Sequence, residues 1–313
     1  MSGRGQTGDS PSLSAEAGRR AIIDLVRGCS IEISPRRAPS VDLCRQFLDA
    51  GTSVYLTHVA GDVHDRIVPL TIELRKAGFN PVPHIAARSL AGFRQLDALL
   101  ARAAGEAGVV HALVIAGDQA APVGPFASSL EALATGLFEK HGILRVGIAG
   151  YPEGNPRIAT PALDRALQAK IELARARQLG AEIVTQFCFD ASPILQWIEH
   201  SALGRGDAPV RVGLAAPASA ATLIKFAARC GIGNSWQFLM SRGSSIGRMM
   251  TESGPERVIG ALARPAAASA RSAMSGLHFY TFGGLPRTAA WLRAILDGAF
   301  ELVEPGGFRI LAK

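Results

Sequence analysis

Residues 161–190 read PALDRALQAKIELARARQLGAEIVTQFCFD. From Pro161 to Leu179 the apolar residues recur at helical spacing, and Gly180 follows as a helix terminator. From Ala181 to Asp190 the pattern changes to a short apolar run with little polar alternation, which is how a strand covered on both faces reads. A helix feeding a doubly covered strand is the repeating unit of a parallel sheet, because parallel neighbours need a crossover between them.

The same unit recurs in both directions. Strand-like runs fall at Cys29–Ser34, Ser53–Val59, Pro81–Ala87, Val110–Gly117, Arg145–Tyr151, Ala181–Asp190, Val210–Pro217 and Leu277–Phe282. Between them lie helical segments. One is capped by Ser40 and ends at Gly51. Ser89 caps a second over Leu90–Ala107, where Leu90, Phe93, Leu96, Leu99 and Leu100 form a stripe, and a third, Ala220–Cys230, ends at Gly231. Eight such runs predict a closed (β/α)8 TIM barrel, an α/β fold. The rival is an open doubly wound sheet, but no GxGxxG follows the first strand to make its phosphate turn. The interval from Pro217 to Leu277 is long for one unit and predicts extra helices before the last strand, at Ser235–Thr251 and Pro255–Ser275. No repeat or interdomain linker is visible, so the expected organisation is a flexible tail over 1–14 and a single catalytic barrel over 15–313.

Composition narrows the function. Hydrophobic residues make up 48% and charged residues 19% of the 313, which supports a large core and argues against disorder. The net charge of +7, from 33 basic and 26 acidic residues, is spread without a run of five like charges. That reads as a solvated surface suited to anionic small ligands, with no nucleic-acid partner. Cys29, Cys44, Cys188 and Cys230 form no CxxC pair and have no histidine at zinc-ligand spacing, which predicts a reduced, cytoplasmic protein without a metal site. Met1–Ser14 lacks the apolar core of a signal peptide, and no stretch reaches 18 consecutive apolar residues, so no membrane span is expected.

In a barrel the C-terminal ends of the strands converge on one face. Polar residues fall at or near those ends: Glu32, Thr57 with His58, His84, Asp118, Tyr151 with Glu153, and Gln186. Each has a purely structural alternative. Thr57 can bond a neighbouring backbone group, His84 can be a satisfied core histidine, and Asp118 can cap the next helix. Tyr151 before Pro152 can start a turn, and Gln186 can pair with another strand's polar end. Glu32 is the sharpest case, inside Ser30-Ile31-Glu32-Ile33-Ser34. A buried carboxylate without a partner is costly, and desolvation raises its pKa toward that of a general acid at neutral pH. The alternative is an ion pair with Arg36 or Arg37.

Taken together, these segments resemble the methylenetetrahydrofolate reductase family. Ser30-Ile31-Glu32-Ile33-Ser34-Pro35 is similar to the family's S-F-E-[FY]-x-P. Leu56-Thr57-His58-Val59-Ala60 with Asp65-Arg66 is similar to V-T-Y-G-A … D-R. Pro83-His84 resembles P-H-[LI], Gly117-Asp118 the end of R-G-D, and Tyr151-Pro152-Glu153 matches Y-P-E. Thr185-Gln186-Phe187 with Phe189-Asp190 matches T-Q-x-F-[FY]-D, and His278-Phe279-Tyr280-Thr281 matches H-F-Y-T. The resemblance runs in order from about residue 30 to 298.

The resemblance implies reduction of 5,10-methylenetetrahydrofolate to 5-methyltetrahydrofolate, with NADH or NADPH as hydride source and FAD as intermediary. It implies that Glu32 is the proton donor, that Asp118 and Gln186 contact the pterin, and that Phe226 stacks on the folate or nicotinamide ligand. Thr57, His58, His84, Asp118 and Tyr151 map to the flavin side. The departures concern cations. The arginine of R-G-D is Ala116, the histidine after Y-P-E is Asn155, and the lysine expected before Gly180 is Ala176, flanked by Arg175 and Arg177. Arg175 is the candidate replacement. The arginine after H-F-Y-T-x-x is Gly284, with Arg287 three residues on, and the folate-site glutamine is Thr222. The alternatives are direct hydride transfer on the same fold without flavin, and a non-catalytic pterin- or flavin-binding subunit. A homo-oligomer is compatible with either.

Overall fold

Each strand-like run becomes a parallel strand of one closed sheet. The computed structural model describes residues 15–35, 41–58, 67–200, 208–230, 254–282, 284–304 and 306–311. The strands are β1 (Ser30–Ile33), β2 (Ser53–Leu56), β3 (Asn80–Ala86), β4 (His111–Ile115), β5 (Arg145–Gly150), β6 (Gly180–Thr185), β7 (Val210–Ala215) and β8 (Met274–Tyr280), joined in that order into a barrel. Closure is made by β1, where Glu32 stands opposite Tyr55 of β2 on one side and Tyr280 of β8 on the other. Side chains alternate across the sheet. Ile31, Ile33, Val54 and Leu56 pack outward under the helices, in the main core cluster. Tyr55, Val82, Leu113 and Val184 form a separate cluster inside the barrel.

The helices are α1 (Ala15–Val26), α2 (Val41–Phe47), α3 (Ile67–Lys76), α4 (Phe93–Ala107), α5 (Ser129–Leu133), α6 (Leu137–Lys140), α7 (Thr160–Ala176), α8 (Ala191–His200), α9 (Ala220–Cys230), α10 (Glu256–Ala263), α11 (Ala268–Ser272) and α12 (Leu285–Leu296). A hairpin, β9 (Phe300–Val303) and β10 (Gly307–Ile310), follows α12. Neither α1 nor this hairpin was expected from the sequence. They belong together: the Arg19 guanidinium donates to the carbonyls of Gly298 and Phe300 and lies 4.6 Å above the Phe300 ring.

Extra helices do precede the last strand, but not as one segment over Pro255–Ser275. Helix α10 ends at Ala263 because Arg264 is extended (φ −65, ψ 154) ahead of Pro265, a conformation that proline imposes on its predecessor. A three-residue 3-10 turn and α11 follow, and β8 starts at Met274. Ser89 does not cap the fourth helix. It ends a 3-10 turn, α4 begins at Phe93, and Gln95 Oε1 accepts the Ala91 N–H instead (2.7 Å). Helix α7 ends at Ala176, with Gln178 in the left-handed region (φ 56), while Gly180 is already the first residue of β6. The expected cap Ser40, the helix Ser235–Thr251, the 1–14 tail, Arg36, Arg37, Asp65 and Arg66 lie outside the described residues.

Two inward glycines make room for larger neighbours. A Cβ on Gly147 would lie 2.8 Å from Leu113 Cδ1, and one on Gly213 would overlap the Thr185 carbonyl oxygen. The bare Gly213 lets Tyr280 reach across, and its hydroxyl donates to that carbonyl at 3.0 Å. Toward the strand starts the interior is charged. Glu182 is buried and accepts from Arg211 Nε (3.2 Å), Ser275 Oγ (2.7 Å) and the Tyr55 hydroxyl (3.3 Å). Burial works against its charge, but Arg211 and the Ser275 hydroxyl outweigh it and hold the pKa below the usual value. Among the described residues no helix is long and apolar enough to cross a membrane.

Candidate active site

The centre of the site is Glu32, which alternation on β1 points into the barrel. No arginine lies against it among the described residues. His84 Nε2 stands 3.5 Å and His278 Nε2 3.7 Å from Glu32 Oε2. Exposure decides their roles: the side chains of His278 and His84 are 0% and 6% exposed, that of Glu32 is 16%. A ligand entering the mouth therefore meets the carboxyl first, with the imidazoles packed beside it. Ser30 Oγ, 2.9 Å from His278 Nδ1, fixes that ring from behind, and Tyr55 meets it edge-on at 4.6 Å.

Burial raises the Glu32 pKa, with the His84 imidazole opposing it in part. Burial also pushes His84 down to about 4, despite the pull of Glu32, and His278 down to about 3, helped by Arg211. All three shifts act against charge: near pH 7 both imidazoles are neutral, and burial makes the Glu32 carboxyl hold its proton to a higher pH than an exposed glutamate does. The two Nε2 atoms are buried without a well-formed hydrogen bond.

The other expected residues ring this centre at the strand ends. Thr57 and His58 follow β2, and the Thr57 N–H donates to Ile33 O at 3.0 Å. Asp118 stands three residues beyond β4, on the exposed rim. Tyr151 and Glu153 follow β5, and Gln186 follows β6 with its N–H on Gly150 O (2.8 Å). Glu153 lies beside Cys188, whose thiol is driven up by burial first and by that carboxylate second. Phe226, on α9, packs against Phe282 with ring centroids 4.3 Å apart at 30°. Phe282 adopts φ 50, costly for an aromatic residue, and its ring also meets Phe187 at 5.2 Å. Phe187, Phe189, Phe226, Tyr280 and Phe282 thus build one aromatic wall over β6–β8.

His84, which the resemblance maps to the flavin side, has its imidazole in a buried contact with Glu32. Arg175 requires a correction. It sits in the last turn of α7, and a barrel helix runs back toward the strand starts, so Arg175 lies at the end opposite the mouth. Lys170 lies on the same helix, just past its midpoint. It lines a cavity of about 270 Å³ together with Arg88, Ala116, Tyr151, Asp164 and Trp197. Lys170, Tyr55, His111 and Arg211 were not singled out in the sequence, and His278 only as part of H-F-Y-T. The first had a signal: Lys170 follows Leu167 by three and precedes Ala174 by four, which sets a lysine on the buried stripe. The others are inward residues of strands and needed the barrel register. A second cavity, about 290 Å³, opens at the opposite end between β1, β2 and α12, bridged by Arg293 and Asp49 at 2.8 Å. Among the described residues no group of His, Cys, Asp and Glu side chains could hold a metal ion.

No protein-family model matches the chain. Among 68 matching chains of known structure is Yersinia pestis DHPS with a pterine-sulfa conjugate, at 17% identity and a TM-score of 0.45, covering 88% of this chain and 96% of that one. A likeness of that extent carries no argument about function.

Proposed function

We propose that this chain is a folate-dependent oxidoreductase of the methylenetetrahydrofolate reductase type, with Glu32 as its general acid. The observation that carries the reading is a carboxyl group inside the barrel, reachable from the mouth, whose burial raises its pKa above the ordinary glutamate value. Opening of 5,10-methylenetetrahydrofolate needs a proton at N10, and a group with a raised pKa is suited to deliver it. His84 and His278 hold the acid in place and, being neutral, do not compete for its proton. The iminium ion that results is cationic, and Asp118 on the rim supplies negative charge toward it. The aromatic wall of Phe187, Phe226, Tyr280 and Phe282 offers a flat surface on which a pterin or nicotinamide ring stacks, and Gln186 at its edge offers amide donors and acceptors.

Bound FAD would relay hydride from NADH or NADPH to the methylene carbon. The residues that would hold it are Thr57, His58 and Tyr151 at the strand ends. A dinucleotide also needs a cation, and the half-buried ammonium of Lys170 in the cavity beside Tyr151 meets that need. The direct-hydride alternative draws on Ala116, which lines the same cavity with no charge.

The test is turnover of 5,10-methylenetetrahydrofolate with NADH and with NADPH, with and without added FAD. The neutral variant Glu32→Gln should fold and bind folate yet lose about 10²-fold or more in rate, the usual scale of general acid catalysis. Near-normal reduction by that variant would remove Glu32 from the role. FAD-independent turnover would establish the direct-hydride reading.

A further inference from the structure

We propose that Phe282 gates the aromatic wall: its ring covers the face of Phe226 on which a flat heteroaromatic ring would stack, and a ligand gains that face by displacing it. The proposal rests on the folate-dependent reading above for the class of ligand, while the geometry stands without it.

The contact is closed. The Phe226 and Phe282 rings lie 4.3 Å apart at 30°. A third ring between them would need a separation of roughly 7 Å, one carbon contact distance on each side. Both rings are half-buried, so the pair meets solvent. Its place is at the mouth: Phe282 stands two residues past Tyr280, which is the register partner of Glu32.

The backbone under this ring is strained. The Gly284 N–H donates to the Thr281 carbonyl at 2.8 Å, which closes a turn with Phe282 as its second residue. A turn with positive φ at that place ordinarily takes glycine, asparagine or aspartate, because a Cβ there crowds the backbone. Phe282 occupies it at φ 50. What opposes the strain is the ring itself, which packs on Phe226, meets Phe187 edge-on at 5.2 Å and lies within 20° of parallel to Tyr280. The Thr281 hydroxyl donates to Glu32 O at 2.7 Å and ties the base of the turn to β1, so Phe282 can swing without unzipping β8 from its neighbour.

The two effects make the gate selective. When the ring of a ligand replaces that of Phe282, Phe226 keeps a stacking partner and the strained φ is released. An aliphatic group of the same size restores less of the lost stacking and opens the gate less readily. The ligand is therefore one that presents a flat heteroaromatic ring, and its apparent affinity is reduced by the fraction of time the gate is closed.

The experiment is calorimetric titration of the purified full chain with folic acid and with NADH, for wild type, Phe282→Ala, Phe282→Gly and Phe226→Ala. Thermal unfolding without ligand is recorded alongside. Phe282→Ala should bind the probe that wild type binds about 3- to 10-fold more tightly, and Phe226→Ala should bind it more weakly by a similar factor. Without ligand, Phe282→Gly should melt about 2 °C or more above Phe282→Ala, since both lack the ring and only glycine accepts the positive φ without strain. Equal or weaker binding by Phe282→Ala overturns the proposal, because Phe282 is then part of the binding surface or a bystander. Unchanged affinity in Phe226→Ala overturns it too, as does a Phe282→Gly variant that melts no higher than Phe282→Ala. If wild type and Phe282→Ala both bind neither probe, the folate reading is refuted and the gate loses its ligand with it.

Discussion

Replacing His278 by glutamine tests the central trio without reference to any activity. In the folded chain His278 is 0% exposed and its pKa is pushed down to about 3, while in the unfolded chain an imidazole titrates near its free value of about 6.5. Between those values the unfolded state binds a proton that the folded state does not, so the contribution of this group is fully present above about pH 6.5 and is lost as the pH falls toward 3. At pH 4.5 the loss is two pH units at about 1.4 kcal/mol each, roughly 3 kcal/mol. Glutamine does not titrate. At pH 7.5 His278→Gln should be less stable than wild type by about 1–3 kcal/mol, since it loses ring contacts with Tyr55 and Tyr280 and disturbs the bond to Ser30. At pH 4.5 that difference should shrink by roughly 3 kcal/mol and can reverse sign. Glu32 titrates in the opposite sense, but it is present in both proteins and to first order cancels. Urea denaturation of both proteins at the two pH values reads the effect. A gap that stays constant from pH 7.5 to 4.5 would show that His278 is not held neutral in the folded chain.

Two further predictions concern the barrel interior. Arg211→Met strips the cation from Glu182, whose side chain is 2% exposed, and should cost about 3–5 kcal/mol in urea denaturation; the double variant Glu182→Gln/Arg211→Met should recover most of that. A single variant as stable as wild type would show that the pair is solvated. Gly213→Ala drives a methyl group into the Thr185 carbonyl and should cost several kcal/mol, about 3 or more, or yield no soluble protein. Gly105→Ala, in α4 with nothing within 4 Å of the new carbon, should instead stabilise by about 0.5–1 kcal/mol. Equal melting temperatures for the two alanine variants would contradict the packing described at Gly213.

What could be read from the residues alone was whatever repeats locally. Strands covered on both faces announce themselves as apolar runs, so all eight barrel strands were placed correctly by counting along the chain. Ends were harder. The turn after α7 uses Gln178 at positive φ, a position where glycine is the ordinary signal, and Gly180 drew the reading two residues too far. Helix α1 and the β9–β10 hairpin lie outside the alternating pattern and have no role until the two ends of the chain meet. The partners of Glu32 were illegible for the same reason: His84 and His278 come to it through the closing of the sheet, and no spacing rule links residues from β1, β3 and β8. Arg175 was misplaced because proximity in sequence to a missing lysine says nothing of which end of the barrel a helical turn occupies.

The pairing of β1 with β8, and the grip of Arg19 on the carbonyls of Gly298 and Phe300, set the order in which this chain can be finished during its synthesis. The first strand emerges from the ribosome early but has one edge without a neighbour until Tyr280 has emerged, and α1 packs on α10, α12 and β8, all from the last quarter of the chain. Most of the nascent chain must therefore wait as an incomplete sheet with an open edge, the condition that invites wrong pairing with other chains. Closure joins the first strand to the last, so it cannot precede the synthesis of β8.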